Sequence, residues 1–333
     1  MAIMGVSVIV ITKNEEDNIR ECLSSILSNS YENFELIVVD SSTDDTAMVV
    51  NGMSDKKIRY FYSERGGFSI QRNIGLREAK HNIVVFTDAD CVVPSDWLGT
   101  LLSAYKGDIA GVGGNAYPLS GSPWFGRCVA CLGFPGGGSI GLEANFEEKR
   151  GVQIATCNAL FLRKALLDVG GFGEGLSYGG EDTAICRELK ESGYKVIYEP
   201  KSFVWHRTRN TMGQFISWCI RRGKARSQLQ PVSLIQVLFD PSSPAGTLFL
   251  IIIIAIVASN WLLTGIITLL FLYLVFVIGL YSLSRKYNLL LKRKKSIEVG
   301  FLSLIFVVPI LLYGRRMIMS SAEIIARWER TTT

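Results

Sequence analysis

The chain opens on a run of mostly β-branched residues, VSVIVI at 6–11, that breaks into Thr12-Lys13-Asn14-Glu15. Apolar positions then recur at Ile19, Cys22, Leu23, Ile26 and Leu27, the three-and-four spacing of one helical face. A second apolar run, ELIVV at 35–39, ends in Asp40-Ser41-Ser42-Thr43-Asp44-Asp45-Thr46, where another helix begins. The cycle repeats with a strand over 58–62 and a helix over about 70–79. It repeats again with IVVFT at 83–87, which ends in Asp88-Ala89-Asp90. Strands this uniformly apolar need cover on both faces, so the alternation predicts an α/β fold with a mostly parallel central sheet. Ligands of such sheets bind outside the carboxyl ends of the strands. Those ends carry Glu15, Asp40 and the pair Asp88/Asp90. Neither a Walker loop nor G-x-G-x-x-G follows any of them, so phosphate is not cradled in that way.

Past about residue 228 the pattern changes character. From 241 to 284 there are 44 consecutive residues without a charge. A bilayer crossing takes about 20 apolar residues per helix. The stretch therefore accommodates two spans, about 246–259 and 261–284, broken at Ser259-Asn260. A soluble hairpin would need a polar face, and neither half has one. Arg221, Arg222, Lys224 and Arg226 precede the hairpin, and Arg285, Lys286, Lys292, Arg293, Lys294 and Lys295 follow it. A hairpin puts both clusters on one side, which the positive-inside rule makes cytoplasmic together with the N-terminal domain. A third apolar segment, 299–314 within about 297–314, has only 16 residues and contains Pro309. Spanning would carry Arg315, Arg316, Arg327 and Arg330 outside, so a re-entrant or surface-lying segment is the equal alternative. The expected organisation is a cytoplasmic domain over 1–228, an interfacial amphipathic connector over 229–245, and a C-terminal α-helical transmembrane region over 246–333. The first residues, MAIMGVSVIVITKNE, lack a basic n-region and a cleavage site, so no signal peptide is expected.

Charge sharpens this division. The net +5 separates into −8 over residues 1–200 (18 basic, 26 acidic) and +13 over 201–333 (17 basic, 4 acidic). An excess confined to one end argues against a nucleic-acid binder and suits anionic lipid headgroups. Nine prolines and 11% aromatics exclude a disordered chain, and 333 residues suffice for one sizeable core plus an appendage. Seven scattered cysteines in a domain assigned to the cytoplasm argue against structural disulfides. The lone Cys128-Val-Ala-Cys131 reads as small apolar residues on a helix.

The sharpest chemistry lies in Asp88 and Asp90. Carboxylates two residues apart at a strand end can share a hard divalent cation, Mg²⁺ or Mn²⁺, which also takes phosphate oxygens. Two solvated aspartates in a turn are the plain alternative, and the apolar strand ending directly at Asp88 tells against it.

The segments VSVIVITKNEE, IVVDSSTDDT, QRNIGLREA and VVFTDAD occur in that order. They are followed by NALFLRKALLDVGGFGEGLSYGGEDTAICRELKESGYKVIYEP and VWH. Together they resemble the inverting family 2 glycosyltransferases of the GT-A fold, over roughly residues 5–226. The resemblance implies that Thr12, Glu15 and Asp40 hold the base and ribose of a nucleotide diphosphate sugar. It implies further that Asp88 contacts ribose or metal, that Asp90 ligates the metal, and that Arg72 approaches the nucleotide. Each has a structural alternative, a surface charge for Arg72 and a helix N-terminus for Glu15. Asp182, in Gly179-Gly180-Glu181-Asp182, falls where the family's general base stands, with Glu181 in support near acceptor or diphosphate. Acids at a helix N-terminus also simply complement its dipole. His206, one of two histidines, falls where related enzymes complete the metal site, though a structural His is an equal reading. His81 is given no role.

The run Gln214-Phe-Ile-Ser217-Trp218 resembles the Q-x-x-R-W signature of the cellulose and hyaluronan synthases, with Ser217 in place of the Arg. Trp218 would stack on an acceptor sugar, and Arg221 or Arg222 would reach the leaving diphosphate. The same residues also suit a helix at headgroup depth. Residues 116–150, with Trp124-Phe125 and Phe134-Pro-Gly-Gly-Gly138, break the regular pattern and read as an acceptor loop or an irregular connection. The reaction expected is metal-dependent, inverting transfer of a sugar from a nucleotide diphosphate donor to a hydroxyl of a lipid-linked (polyprenyl or dolichyl) glycan at the cytoplasmic face. Its alternatives are a polyprenyl-phosphate sugar synthase, whose anionic acceptor needs no base, a processive polysaccharide synthase, and a non-catalytic nucleotide-sugar binder.

Overall fold

The computed structural model describes residues 4–130 and 154–229. The expected spans, the third apolar segment, the connector past residue 229 and the Gly-rich stretch after residue 130 lie outside the described residues. Among the described residues, no helix is long and apolar enough to cross a membrane. The chain divides into two units, residues 1–126 with 134–210 and residues 127–133 with 211–333.

The first unit begins with the expected alternation. Strand β1 (Val6–Thr12) leads to α1 (Ile19–Leu27), β2 (Phe34–Asp40) to α2 (Thr46–Asn51), and β3 (Ile58–Tyr62) to α3 (Phe68–Glu78). Next come β4 (Ile83–Asp88), β5 (Cys91–Val92), α4 (Trp97–Ala104), β6 (Ile109–Pro118) and α5 (Trp124–Ala130). After a single 3-10 turn (Thr156–Asn158) follow β7 (Ala159–Leu162), α6 (Arg163–Asp168), α7 (Glu181–Glu191) and β8 (Lys195–His206). The strands form one sheet in the order β3-β2-β1-β4-β7-β6-β8-β5. Its first four members run parallel, β7 is antiparallel to both β4 and β6, β8 runs parallel to β6, and β5 closes the edge antiparallel to β8.

Alternation along the strands sorts the core into two layers, because successive side chains point to opposite faces. Val6, Val8 and Val10 of β1, with Leu36 and Val38 of β2, meet α1 and α4 through Leu23, Ile26, Trp97 and Leu101. Ile9 and Ile11, with Ile37, Val39 and Phe86, meet α3, α6 and α7 through Leu76, Leu166, Ile185 and Leu189. Phe86 anchors the second layer edge-on to Phe161 and Phe172, at centroid distances of 6.1 and 5.3 Å. Helix α3 comes close to β1 because Gly75 faces Ile9; a Cβ there would lie 2.4 Å from Ile9 Cγ2.

The far half of the sheet is less regular. The β6–β8 ladder shifts register twice. At the second shift a buried amide network fills the gap. Asn158 Nδ2 donates to the Asn115 carbonyl at 2.9 Å, and Asn158 Oδ1 accepts from Trp97 Nε1 at 2.8 Å. Of the irregular stretch expected over 116–150, the described part is the end of β6 and helix α5. In the second unit, α8 (Met212–Leu229) carries Phe215 and Trp218 stacked at 6.1 Å.

Candidate active site

Four chain segments deliver polar groups to the carboxyl ends of β1, β2 and β4. After β1, Asn14 takes a left-handed φ of 57°, which asparagine tolerates better than most residues. There its amide N–H donates to Ser42 Oγ at 2.7 Å, while its side-chain oxygen accepts from the Thr43 N–H at 2.9 Å. The Glu15 N–H donates to Thr46 Oγ1 at 3.0 Å. These bonds lace the loop after β1 to the loop after β2. Asp40, fully buried, accepts from the Ser42 N–H (2.8 Å) and from the Tyr60 hydroxyl (2.7 Å). Beside it, the buried Thr12 Oγ1 and Ser41 Oγ have no hydrogen-bond partner among the described residues.

Helix α3 organises what lies beneath. Its buried face includes Ser69, Gln71, Arg72 and Asn73. Gln71 Nε2 donates to carbonyls at the ends of two strands, Thr12 O at 2.7 Å and Val39 O at 2.9 Å. Asn73 exchanges two 2.8 Å hydrogen bonds with the backbone of Phe172, Nδ2 donating to its carbonyl and Oδ1 accepting from its N–H. Between them Arg72, 2% exposed, places one guanidinium nitrogen 2.6 Å from Glu181 Oε1 and the other 3.1 Å from Asp88 Oδ1. The rings of Phe68 and Phe172 lie 5.8 and 5.9 Å from the guanidinium carbon. The structure pairs Arg72, expected to approach a nucleotide, with two carboxylates.

Glu181 opens α7 after Gly179 and Gly180, whose φ values of 99° and 94° only glycine adopts readily. Burial raises Glu181, Arg72 opposes the rise, and the Asp182 carboxylate adds to it. Among the described residues its buried Oε2 has no hydrogen-bond partner. Asp182, partly exposed, accepts from the Thr183 N–H at 2.7 Å. Glu15 is pushed up to about 7, first by burial and then by Asp90, with Asp88 adding a smaller push. A carboxyl so surrounded by carboxylates marks a site suited to cations.

The short strand β5 sets the last pair. Cys91 lies opposite His206 in the β5–β8 ladder. This brings His206 Nδ1 to 3.4 Å from Asp90 Oδ2 and 2.9 Å from the Arg207 carbonyl. A carbonyl only accepts, so the Arg207 contact is a hydrogen bond in the tautomer that carries its proton on Nδ1. Asp90, Cys91 and His206 form the one group of three or more such residues among the described ones that could hold a cation, their ligand atoms lying within 4.8 Å of one another. Burial and a hydrogen bond with Cys157 raise the Cys91 thiol. The carboxylate oxygen and imidazole nitrogen of this group suit Mn²⁺.

Of the expected residues, the structure brings Glu15, Arg72, Asp88, Asp90, Glu181, Asp182 and His206 into linked positions and sets Thr12 and Asp40 at adjacent strand ends. Trp218 and Arg221 lie on α8 in the second unit, and the side chain of Arg222 is outside the described residues. Sequence reasoning passed over Gln71, Asn73 and Tyr60. A signal was available, since three successive polar residues, QRN, stand between Ile70 and Ile74.

Residues 7–169 match the family described as Glycosyl transferase family 2. The matched segment, just under half of the chain, resembles the family 2 glycosyltransferases. The domain has relatives of several kinds. Over 111 residues, 32% of this chain and 16% of the relative, it is 38% identical to glycosyltransferase GlyA of Streptococcus pneumoniae. Over 216 residues, 63% of this chain, it is 27% identical to the poly-β-1,6-N-acetyl-D-glucosamine synthase of Staphylococcus aureus, of which the match covers 51%. Thus the match spans at most about half of either relative. A mannosyltransferase of Pyrobaculum calidifontis, solved with GDP-Man and Mn²⁺, is 20% identical with a TM-score of 0.54, over 98% of this chain and 87% of the other. At that identity the likeness speaks to the fold, a GT-A-like α/β domain.

Proposed function

We propose that the protein transfers a sugar, with inversion, from a nucleotide diphosphate donor to a hydroxyl of a lipid-linked glycan at the cytoplasmic membrane face. The observation that carries this reading is the Arg72 bridge, which joins Asp88 at the end of β4 to Glu181, the residue beside Asp182 at the start of α7. Donor-side and acceptor-side carboxylates thereby share one site. In this reading Thr12, Glu15 and Asp40 hold base and ribose, and the unpartnered Thr12 and Ser41 hydroxyls await donors or acceptors brought by the nucleotide. Asp90 and His206, with Asp88 beside them, would hold Mn²⁺ or Mg²⁺. Such an ion supplies positive charge opposite the departing diphosphate.

Asp182 takes the proton of the acceptor hydroxyl as its oxygen attacks the anomeric carbon. The new carbon–oxygen bond forms on the face opposite the breaking bond to the diphosphate, and the nucleotide diphosphate leaves with the bonding electrons. The uncharged stretch 241–284 supports membrane attachment, which confines the enzyme near an acceptor in the bilayer. Trp218, Arg221 and Arg222 belong to the acceptor and diphosphate end of this proposal.

The test is to incubate membranes holding the full chain with labelled nucleotide sugars and Mn²⁺, then extract labelled lipid. Asp182→Asn is expected to lower turnover by about 10²–10⁴-fold, the range of general base catalysis. Near-normal turnover would favour a phosphate acceptor, which needs no base, and would sink the hydroxyl mechanism. Similarity to the poly-β-1,6-N-acetyl-D-glucosamine synthase favours a second reading, processive polymerisation. A ladder of long products in the same extract would establish it, whereas the single-sugar reading expects one added residue.

A further inference from the structure

Arg72 is held by protein groups on both sides. It is 2% exposed, its two outer nitrogens are engaged by Glu181 Oε1 and Asp88 Oδ1, and aromatic rings approach it from two residues. Its backbone is equally fixed, since Gln71 is bonded to the ends of β1 and β2 and Asn73 to Phe172. What it does have is one partner on each side of the site. Asp88 ends β4, two residues before Asp90, while Glu181 begins α7, immediately before Asp182.

From this geometry we infer that Arg72 is a positioning residue that holds Asp182 in register with Asp88 and Asp90 through its bridge to Glu181, without itself touching the nucleotide. The inference rests on the glycosyl-transfer reading and adds a component to it. A rigid planar fork is what the task needs. Two carboxylates on different elements must be held at fixed separation, which a guanidinium does with separate nitrogens and a lysine ammonium, one point of charge, does not. Misplacing a catalytic group by about 1 Å costs on the order of 10²-fold in rate, so a loosened bridge shows in turnover and leaves ground-state nucleotide binding intact.

The variants Arg72→Lys and Glu181→Gln test this in the full chain. Affinity for UDP and GDP with Mn²⁺ is expected to stay within about twofold of the unaltered protein, while kcat falls roughly 10²-fold in each. Because both changes break the same bridge, the double variant should lose little more than either single one. A third variant, Arg72→Met with Glu181→Met, replaces the buried pair by apolar side chains of similar size and guards against failure to fold. It should bind nucleotide and turn over slowly. Affinity that falls in step with kcat in Arg72→Lys would make Arg72 a direct nucleotide contact and overturn the inference. So would unaltered kcat, or losses that multiply in the double variant. Nucleotide-sugar turnover by the unaltered chain tests the transfer reading, and the split between kcat and affinity in Arg72→Lys tests the bridge, so each fails by its own measurement.

Discussion

Replacing Asn73 by Ala should destabilise the domain by about 2–4 kcal/mol. The figure follows from its partners. Asn73 is buried and satisfies both backbone groups of Phe172, donating to its carbonyl and accepting from its N–H at 2.8 Å each. Phe172 is itself 2% exposed. Removing the amide leaves a buried donor and a buried acceptor unmatched, at about 1–3 kcal/mol apiece, with entry of water limiting the sum. The third bond, from Nδ2 to Glu174 Oε1 at 3.2 Å, ends on a partly exposed segment and adds little. Guanidinium unfolding followed by far-UV circular dichroism measures the loss, and hydrogen exchange at the Phe172 amide localises it. Asn73→Asp gives an internal control. The carboxylate still accepts from the Phe172 N–H but sets a negative oxygen against the Phe172 carbonyl. It should therefore cost more than Ala near neutral pH. Protonation restores the missing donor, so the deficit relative to the unaltered protein at the same pH should shrink as pH falls through the variant's carboxyl pKa. A loss in Asn73→Ala below about 0.5 kcal/mol, with the Phe172 amide still protected, would refute the reasoning.

Three further outcomes follow from the same geometry. Gly75→Ala places a Cβ 2.4 Å from Ile9 Cγ2, so overpacking of about 1–3 kcal/mol should outweigh a helix-propensity gain of about 1 kcal/mol and lower the melting temperature. Glu15 has its carboxyl raised from 4.5 to about 7, so its stability contribution is full below pH 4.5 and lost as pH rises through 7. The stability difference between the unaltered chain and Glu15→Gln should change across that window and be flat above it; a pH-independent difference would contradict the shift. Asp90→Asn should weaken Mn²⁺ binding by more than roughly tenfold, read as free Mn²⁺ by electron paramagnetic resonance, and unchanged affinity would remove Asp90 from the ligand set.

The parallel half of the sheet is legible in the sequence because β1, β2 and β4 are buried on both faces and read as unbroken apolar runs. The mixed half is not. Strand β6, IAGVGGNAYP, contains three glycines where an apolar strand signal would need large side chains. Their cause is tertiary: Cβ atoms would come within 3.1 Å of Phe161 at Gly111, 2.2 Å of Ile154 at Gly113 and 2.3 Å of Asn158 at Gly114. The candidate site divides in the same way. Carboxylates at strand ends announce themselves by position. Their partners do not, since Arg72 and Glu181 are separated by 109 residues and meet only when α3 and α7 pack on the same face of the sheet. The closeness of His206 to Asp90 likewise depends on β5, two residues long and invisible to any periodicity.

Helix α3 explains why stability and site geometry belong together here. Successive helical side chains are turned by about 100°, so Gln71, Arg72 and Asn73 point in three directions and each meets a different part of the fold. Gln71 ties β1 to β2, Arg72 ties β4 to α7, and Asn73 ties the Phe172 segment to the helix itself. A helix used only for packing would place apolar residues at such positions, since buried polar groups lower stability unless every partner is present. Burying three in a row is consistent with a requirement for fixed relative positions rather than for cohesion alone. The two kinds of substitution should then separate. Asn73→Ala removes hydrogen bonds to a backbone segment and is read in unfolding, whereas Arg72→Lys preserves charge and bulk, loosens one bridge between carboxylates, and is read in turnover. Equal effects of both on both measurements would mean that α3 is a structural strut whose polar residues merely satisfy one another.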